Sequence, residues 1–358
     1  MTGPLKVAVA GLGRMGAVHA LHLCELAREG VPCSLAALVD LDRERAGGVA
    51  AEMGLQVPVF AGVEEFAAAG ICNATVLVTP TPLHRETATA LISAGHRILL
   101  EKPLTGAVES DREFAAELNR NAPHSVMLAF QRRFDAPLQY AKELIDSGAI
   151  GRVFKIYSSM EDSNPAPDGY KSGGLLPDMA IHNVDEILWL SGKMPRTVLA
   201  VGSNIYSHRL TTCQEDFDDA LLYLWFADET VAQVQVSRNH VSGYRVETLI
   251  FGAEGQIHVG RFDQQPFEIV VEAYGRRGRT EPLAHRAFRM REYGHALPEF
   301  VDRFGPAYKT ELAAFIDCCR ADSPFPTSHR DGLRAQEVIA AGMRGMLAER
   351  NGAPVQPA

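Results

Sequence analysis

No apolar run in this 358-residue chain is long enough to cross a bilayer, which takes roughly 20 consecutive residues. Positive charge is also short: 35 lysines and arginines stand against 44 aspartates and glutamates, a formal net charge of −9. That balance argues against a nucleic-acid partner and against an anionic membrane surface. The six cysteines, Cys24, Cys33, Cys72, Cys213, Cys318 and Cys319, form neither a disulfide framework nor a Cys-x-x-Cys pair. They read as reduced thiols of a cytoplasmic protein. Histidines and cysteines do not gather at ligand spacing, so no metal site is expected. The opening Met-Thr-Gly-Pro-Leu-Lys runs straight into a strand pattern, without the apolar core and cleavage site of a secretory signal. Internal repeats and low-complexity linkers are missing too. What remains is an ordinary globular composition, 46% hydrophobic and 22% charged, with length for two domains.

What the chain does have begins almost at once, in Val7-Ala-Val-Ala-Gly11-Leu-Gly13-Arg14-Met15-Gly16. An apolar run, three spaced glycines and an alanine- and leucine-rich segment describe a buried strand turning tightly into a helix. The free N–H groups and positive dipole end of such a helix suit a diphosphate. Gly11 would make the turn, Gly13 would let the backbone approach the pyrophosphate, and Gly16 would let helix and strand pack closely. A Gly-x-Gly-x-x-Gly pattern needs context, and here the run Leu35–Val39 ends in Asp40, where a carboxylate can hold ribose hydroxyls. Asp40 favours NAD over NADP, because a carboxylate repels a 2′-phosphate; Arg43 and Arg45 are the nearby cations that oppose it.

The first ~130 residues alternate strand and helix, the pattern of a doubly wound parallel sheet. Thr79-Pro80-Thr-Pro82 stops one strand, and Glu101-Lys102-Pro103 ends the next. The strand carboxyl ends thereby gather Gly11, Asp40, Thr79 and Lys102 on the sheet edge where ligands bind. From Gln131 onward, strand-like runs follow one another with few helices between them, which implies a largely antiparallel sheet. The expected architecture is α/β: a Rossmann domain over 1–130, then an α/β domain over 131–358 with a large, mostly antiparallel open sheet. The last helices are able to pack back on the first domain.

Two further groups carry acid–base chemistry. An ammonium at Lys102 could donate to a substrate hydroxyl and stabilise an alkoxide; on spacing alone it could equally be a strand-end surface lysine. Asp178 and His182 sit at i and i+4 in a predicted helix over 178–190, on one face. Imidazole moves protons near neutral pH and a carboxylate can orient it. Spacing alone also allows Asp178 as a first-turn acid and His182 as core filler.

Taken together, Gly11-x-Gly13-x-x-Gly16, Glu101-Lys102-Pro103 and Asp178-x-x-x-His182 resemble the Gfo/Idh/MocA oxidoreductase family, over nearly the whole chain and in the right order. The resemblance implies hydride transfer to NAD, with Lys102, Asp178 and His182 acting at the reacting carbon. It also implies a peptide before Pro103 that is often cis, and a homodimer or homotetramer assembled through the C-terminal open sheet. Within the family the closest look is to inositol 2-dehydrogenases, on Phe130-Gln-Arg132-Arg133-Phe134-Asp135, Ser163-Asn164-Pro165 and His182-Asn-Val-Asp. The cofactor residues expected from the sheet edge and the resemblance are Gly11, Gly13, Arg14, Met15 and Gly16 on the first turn. Asp40, Thr79, Pro80, His84, Glu101 and Lys102 complete that set. Substrate contacts are expected from Lys102, Arg132, Asn164, Asp178, His182 and Tyr244. Gln131, Ser163 and Leu176-Pro177 depart from the inositol pattern and leave the particular polyol open. The expected activity is NAD-dependent oxidation of a secondary hydroxyl on a cyclic polyol, inositol first. The alternatives are a pyranose or keto-sugar enzyme, and a catalytically silent NAD-binding regulator.

Overall fold

The computed structural model describes residues 3–162, 173–204, 217–240, 242–261, 268–276, 282–290 and 299–348. The chain divides into two compact units, Met1–Asp135 with Phe304–Leu333, and Ala136–Arg303 with Arg334–Ala358. The first unit thus runs past residue 130 and takes in a segment from near the end of the chain.

Six parallel strands build the first unit: β1 (Leu5–Ala10), β2 (Cys33–Val39), β3 (Val59–Phe60), β4 (Ala74–Leu77), β5 (Arg97–Leu100) and β6 (Val126–Leu128). Their order is β3-β2-β1-β4-β5-β6, and every neighbouring pair is parallel. Val7, Val9, Val76 and Leu99 are fully buried, as strands covered on both faces must be, which is why they read as continuous apolar runs. Five helices follow in turn: α1 (Arg14–Arg28), α2 (Arg43–Glu52), α3 (Val63–Ala69), α4 (His84–Ser93) and α5 (Val108–Asn121). The order reverses between β1 and β4, so a crevice opens outside their carboxyl ends, where the glycine turn lies. Phe315 and Ile316 return from late in the chain to join Leu23, Leu38 and Val76 in one core.

Eight strands form the second unit's sheet: β7 (Val153–Glu161), β8 (Pro195–Ser203), β9 (Asp219–Phe226), β10 (Val231–Ser237), β11 (Arg245–Gly252), β12 (Gly255–Val259), β13 (Glu268–Gly275) and β14 (Pro282–Arg289). Their order is β14-β13-β12-β11-β7-β10-β9-β8. Every neighbouring pair is antiparallel except β7 with β10. The helices are α6 (Ala136–Asp146), α7 (Ile181–Ser191), α8 (Glu299–Ala321) and α9 (His329–Ala348), and the unit boundaries fall within α8 and α9. On β9, Ala220, Leu222, Leu224 and Phe226 are buried, and a Cβ at Gly342 of α9 would sit 3.4 Å from Ala200 and Leu222. The opposite face carries Leu199, Leu221, Tyr223 and Trp225 in register; Trp225 is 44% exposed and Val201 49%. Five described cysteines, Cys24, Cys33, Cys72, Cys318 and Cys319, are free thiols. No described helix is long and apolar enough to cross a membrane.

Candidate active site

The first turn is built as tightly as its glycines suggest. Gly11 has φ +91°, and a Cβ there would meet the Val78 carbonyl oxygen at 2.5 Å. A Cβ on Gly16 would lie 1.8 Å from the Gly11 oxygen, whereas one on Gly13 meets nothing within 4 Å. Gly13 is also the N-cap of α1 and supplies no side-chain hydrogen bond, and the N–H groups and dipole of a helix start suit an anion. Arg14 is exposed and Met15 half-buried. At the end of β2 the buried Asp40 accepts from Leu12 N at 2.6 Å and from Asp42 N at 2.9 Å, fixing its carboxylate against the glycine turn. Arg45 Nη1 lies 3.5 Å from the same carboxylate. An open cradle over Gly13, filled space at Gly11 and Gly16, and an anchored carboxylate fit a dinucleotide.

Lys102 is half-buried, and its peptide with Pro103 is cis. The residues around it are each held by a different helix. Fully buried His19 of α1 reaches Glu101 Oε1 through Nε2 at 2.9 Å, while Glu101 Oε2 accepts from Lys102 N at 3.2 Å. His84, at the start of α4 and 1% exposed, places Nδ1 2.9 Å from the Pro103 oxygen and Nε2 2.8 Å from the Thr79 oxygen. Both nitrogens of this expected cofactor residue face main-chain carbonyls, and the neutral ring donates to one of them, bracing the β4 and β5 ends. Burial pushes its pKa below the usual histidine range, against the pull of those carbonyls. Thr79 itself is half-buried and Pro80 exposed.

Two residues beyond Pro103, Thr105 donates from N at 2.7 Å and from Oγ1 at 2.5 Å to Asp111 Oδ1 of α5. Burial pushes the Asp111 carboxyl up to about 6, although these bonds oppose the rise. Between the ordinary carboxylate range and that value, the folded chain holds a proton that the unfolded chain has released. The stability contributed by this group therefore falls as pH rises toward 6 and is lost above it. His329 has the opposite sign: burial holds it down to about 4, so stability is lost there as pH falls through the ordinary histidine range. Asp111→Asn should abolish the first effect alone. Relative to wild type, the variant gains on the order of 1 kcal/mol between pH 5 and pH 7.5. Urea unfolding of both proteins at those two pH values checks this, since the His329 effect cancels in the difference, and an unchanged difference would refute it.

In the second unit the helix expected over 178–190 begins differently. Leu176–Ala180 form one π-helical turn, and α7 proper starts at Ile181. Gly173 and Gly174 have positive φ just before it. Asp178 lies in the π turn and His182 in the first turn of α7, still one turn apart. Asp178 Oδ2 accepts from Arg238 Nη2 at 3.1 Å. Nearly all of α7 is buried, polar residues included: His182 is 7% exposed, Asn183 and Glu186 fully covered. Asn183 Nδ2 donates to Ser158 Oγ at 2.8 Å. Ser158 Oγ and Thr248 Oγ1 donate to Glu186 Oε1 at 3.1 and 2.6 Å. These bonds pin the His182 helix to β7 and β11. Arg238, Asn183 and Glu186 are absent from the sequence expectations; the available signal was polar residues spaced through an otherwise apolar helix.

Of the other expected contacts, Arg132 is 1% exposed, in a 3₁₀ turn over Gln131–Phe134. Its guanidinium lies 5.4 Å from the Phe304 ring centroid. Tyr244 is half-buried and donates from N to Glu299 Oε2 at 3.1 Å. Asn164 lies outside the described residues, as do Ser163 and Pro165.

Comparison with known proteins agrees over almost the full length. Residues 5–128 match the oxidoreductase family, NAD-binding Rossmann fold, and residues 138–258 match the GFO/IDH/MocA C-terminal domain. The chain is 29% identical over 99% of its length to scyllo-inositol 2-dehydrogenase (NAD(+)) of Bacillus subtilis, covering 97% of that protein. It is 26% identical to the myo-inositol 2-dehydrogenase of Thermotoga maritima, covering 97% of this chain and 98% of the other. Scyllo-inositol dehydrogenase from Lactobacillus casei, solved with bound NAD(H) and scyllo-inositol, superposes with a TM-score of 0.79 at 25% identity, covering 97% and 98% of the two chains. The chain belongs to the Gfo/Idh/MocA family of oxidoreductases, with an NAD-binding Rossmann domain as its first part.

Proposed function

We propose that the protein is an NAD-dependent dehydrogenase that oxidises a secondary hydroxyl of an inositol. One joint observation carries the reading. A chain covered end to end by inositol dehydrogenases has Lys102 behind a buried, anchored glutamate, and Asp178 and His182 on a buried, pinned helix. NAD, when bound, supplies the acceptor for the hydride. Gly11, Gly13 and Gly16 would seat its diphosphate, with Arg14 and Met15 beside it, and Asp40 would take the adenosine ribose hydroxyls. Thr79, Pro80 and Glu101 would shape the strand ends, and His84 would hold them in place.

The residues then divide the proton work. Lys102 would donate to the substrate hydroxyl and stabilise the developing alkoxide, which makes the proton easier to lose. His182 would take that proton on a ring nitrogen, and Asp178 would orient the ring and stabilise the imidazolium formed. Arg132, Asn164 and Tyr244 would contribute to the polyol pocket. The uncovered sheet face carrying Tyr223, Trp225 and Val201 is proposed as the surface that joins copies of the chain, since exposed apolar area of that kind marks an interface.

Purified protein should form NADH when given NAD with myo-inositol or scyllo-inositol, and should form much less NADPH from NADP. Turnover only with glucose or another pyranose would replace the polyol reading with the sugar reading. NAD binding with no turnover on any of these would favour the silent regulator, and an NADP preference would sink the argument from Asp40. Light scattering on the same sample should give a dimer or tetramer mass; a monomer would remove the interface proposal.

A further inference from the structure

Arg238 follows β10 directly and is only 3% exposed, a placement that is costly for a cation unless it is paired. Its backbone is fixed by the sheet. Arg238 N donates to the Asp218 oxygen at 2.8 Å, and Asp162 N donates to the Ser237 oxygen at 2.8 Å. The guanidinium is therefore delivered from a continuing ladder between β7 and β9. Across from it Asp178 N is tied to the Gly174 oxygen at 3.1 Å. The 3.1 Å contact between Arg238 Nη2 and Asp178 Oδ2 thus joins two fixed backbones, with side chains 3% and 14% exposed.

Other charges lie on the neighbouring elements. Glu161, ending β7, accepts from Arg245 of β11 at 2.9 Å and from Gln235 of β10 at 2.5 Å, and stands 4.0 Å from His240 Nε2. Glu247 of β11 takes the other Arg245 nitrogen at 2.6 Å. On α7 itself, Glu186 is held by Ser158 and Thr248, and Asp185 is buried. At the start of β9, Asp218 is buried, and burial raises the Asp219 carboxyl.

We propose that Arg238 is a positioning residue for the acid–base pair: it holds the Asp178 carboxylate ionised and oriented, and by sharing that charge it keeps His182 an unprotonated base at neutral pH. The inference rests on the reading of Asp178 and His182 as the groups that move the substrate proton. A carboxylate alone beside an imidazole favours the imidazolium, whereas a cation on that carboxylate opposes it. With Arg238 in place, the proton that His182 gains in the oxidation is held only as firmly as it must be to be passed on to solvent. Without Arg238, the ring would load from solvent before substrate arrives.

The test uses the full chain as Arg238→Met, Arg238→Gln, Arg238→Lys and Asp178→Ala. In the cofactor-free protein, ring titration of His182 followed by NMR should move up by about one pH unit in Arg238→Met and return toward wild type in Arg238→Lys. The acid limb of kcat/KM with NAD and scyllo-inositol should move by the same amount, leaving kcat/KM about tenfold lower on the acid side of the limb and only a few-fold lower at neutral pH. A purely structural role for Arg238 would lower turnover at every pH without moving the limb or the titration, and would overturn the proposal. If Arg238→Met fails to fold, Arg238→Gln decides: it keeps a polar group but removes the charge, so the titration should again move up, and no shift counts against the inference. Wild-type turnover in Asp178→Ala would instead overturn the underlying acid–base reading. Lost turnover there, with an unmoved titration in Arg238→Met, overturns the Arg238 proposal alone.

Discussion

Lys102→Met should lower kcat by about 10²–10⁴-fold while the dissociation constant for NAD stays within a few-fold of wild type. The asymmetry follows from what surrounds the residue. Glu101 is held by His19, Pro103 by His84 and Thr105 by Asp111, so the main chain keeps its course without the ammonium. The turn that would seat the diphosphate belongs to β1 and α1, which the substitution does not touch. On the proposed mechanism, what is lost is a cation beside a developing alkoxide, an interaction that matters in the transition state far more than in the ground state. His182→Asn should show the same split through loss of the proposed proton acceptor. Steady-state kinetics with calorimetric NAD titrations give both quantities. Near-normal kcat in both variants would refute the assigned roles, and a parallel loss of NAD affinity would show that Lys102 serves cofactor binding instead.

The sequence carried the first unit well because its strands are buried on both faces and announce themselves as apolar runs, Val7 to Ala10 and Ala74 to Leu77 among them. Asp40 and the three glycines were readable because their chemistry is local to one turn. The second unit shows where that legibility ends. β14 was not expected: it is an edge strand exposed along most of its length, and an edge strand without a buried face has no alternation to read. The helix expected over 178–190 takes in only the last three residues of the π turn at Leu176–Ala180, and as ordinary helix. Gly173 and Gly174 precede the turn with positive φ. Arg238 was beyond reach for another reason. Its link to Asp178 spans 60 positions, and only the β10 ladder brings the two together. His84 was picked out with the cofactor group, yet its ring is occupied by the oxygens of Thr79 and Pro103. Spacing points to a neighbourhood, but whether a side chain faces a ligand or braces the strands is not written in it.

Gly13→Ala and Gly16→Ala, the same chemical change three positions apart, should separate fold from function at the opening turn. Gly13 has φ −68° and ψ −168°, extended backbone that alanine adopts freely, and its Cβ would enter open space. The small loss of N-cap preference and the stiffer unfolded chain oppose one another, so cofactor-free stability should stay within about 0.5 kcal/mol of wild type. The open space is nonetheless where the diphosphate would come closest, so NAD affinity should fall by at least about tenfold as the methyl holds it away. Gly16→Ala behaves differently. Its Cβ would lie 1.8 Å from the Gly11 oxygen, and the first turn of α1 would have to move away from β1. That overpacking should cost about 3 kcal/mol before any ligand is added, and the displaced turn would then bind NAD poorly as well. Thermal melts of the cofactor-free proteins and NAD titrations of each variant supply the comparison. Gly13→Ala binding NAD as tightly as wild type would remove the diphosphate from this turn. An unperturbed Gly16→Ala would show that α1 and β1 are not locked together by the contact between Gly11 and Gly16. The two glycines thus bear on separate quantities, one on what the turn can hold and the other on whether the turn exists.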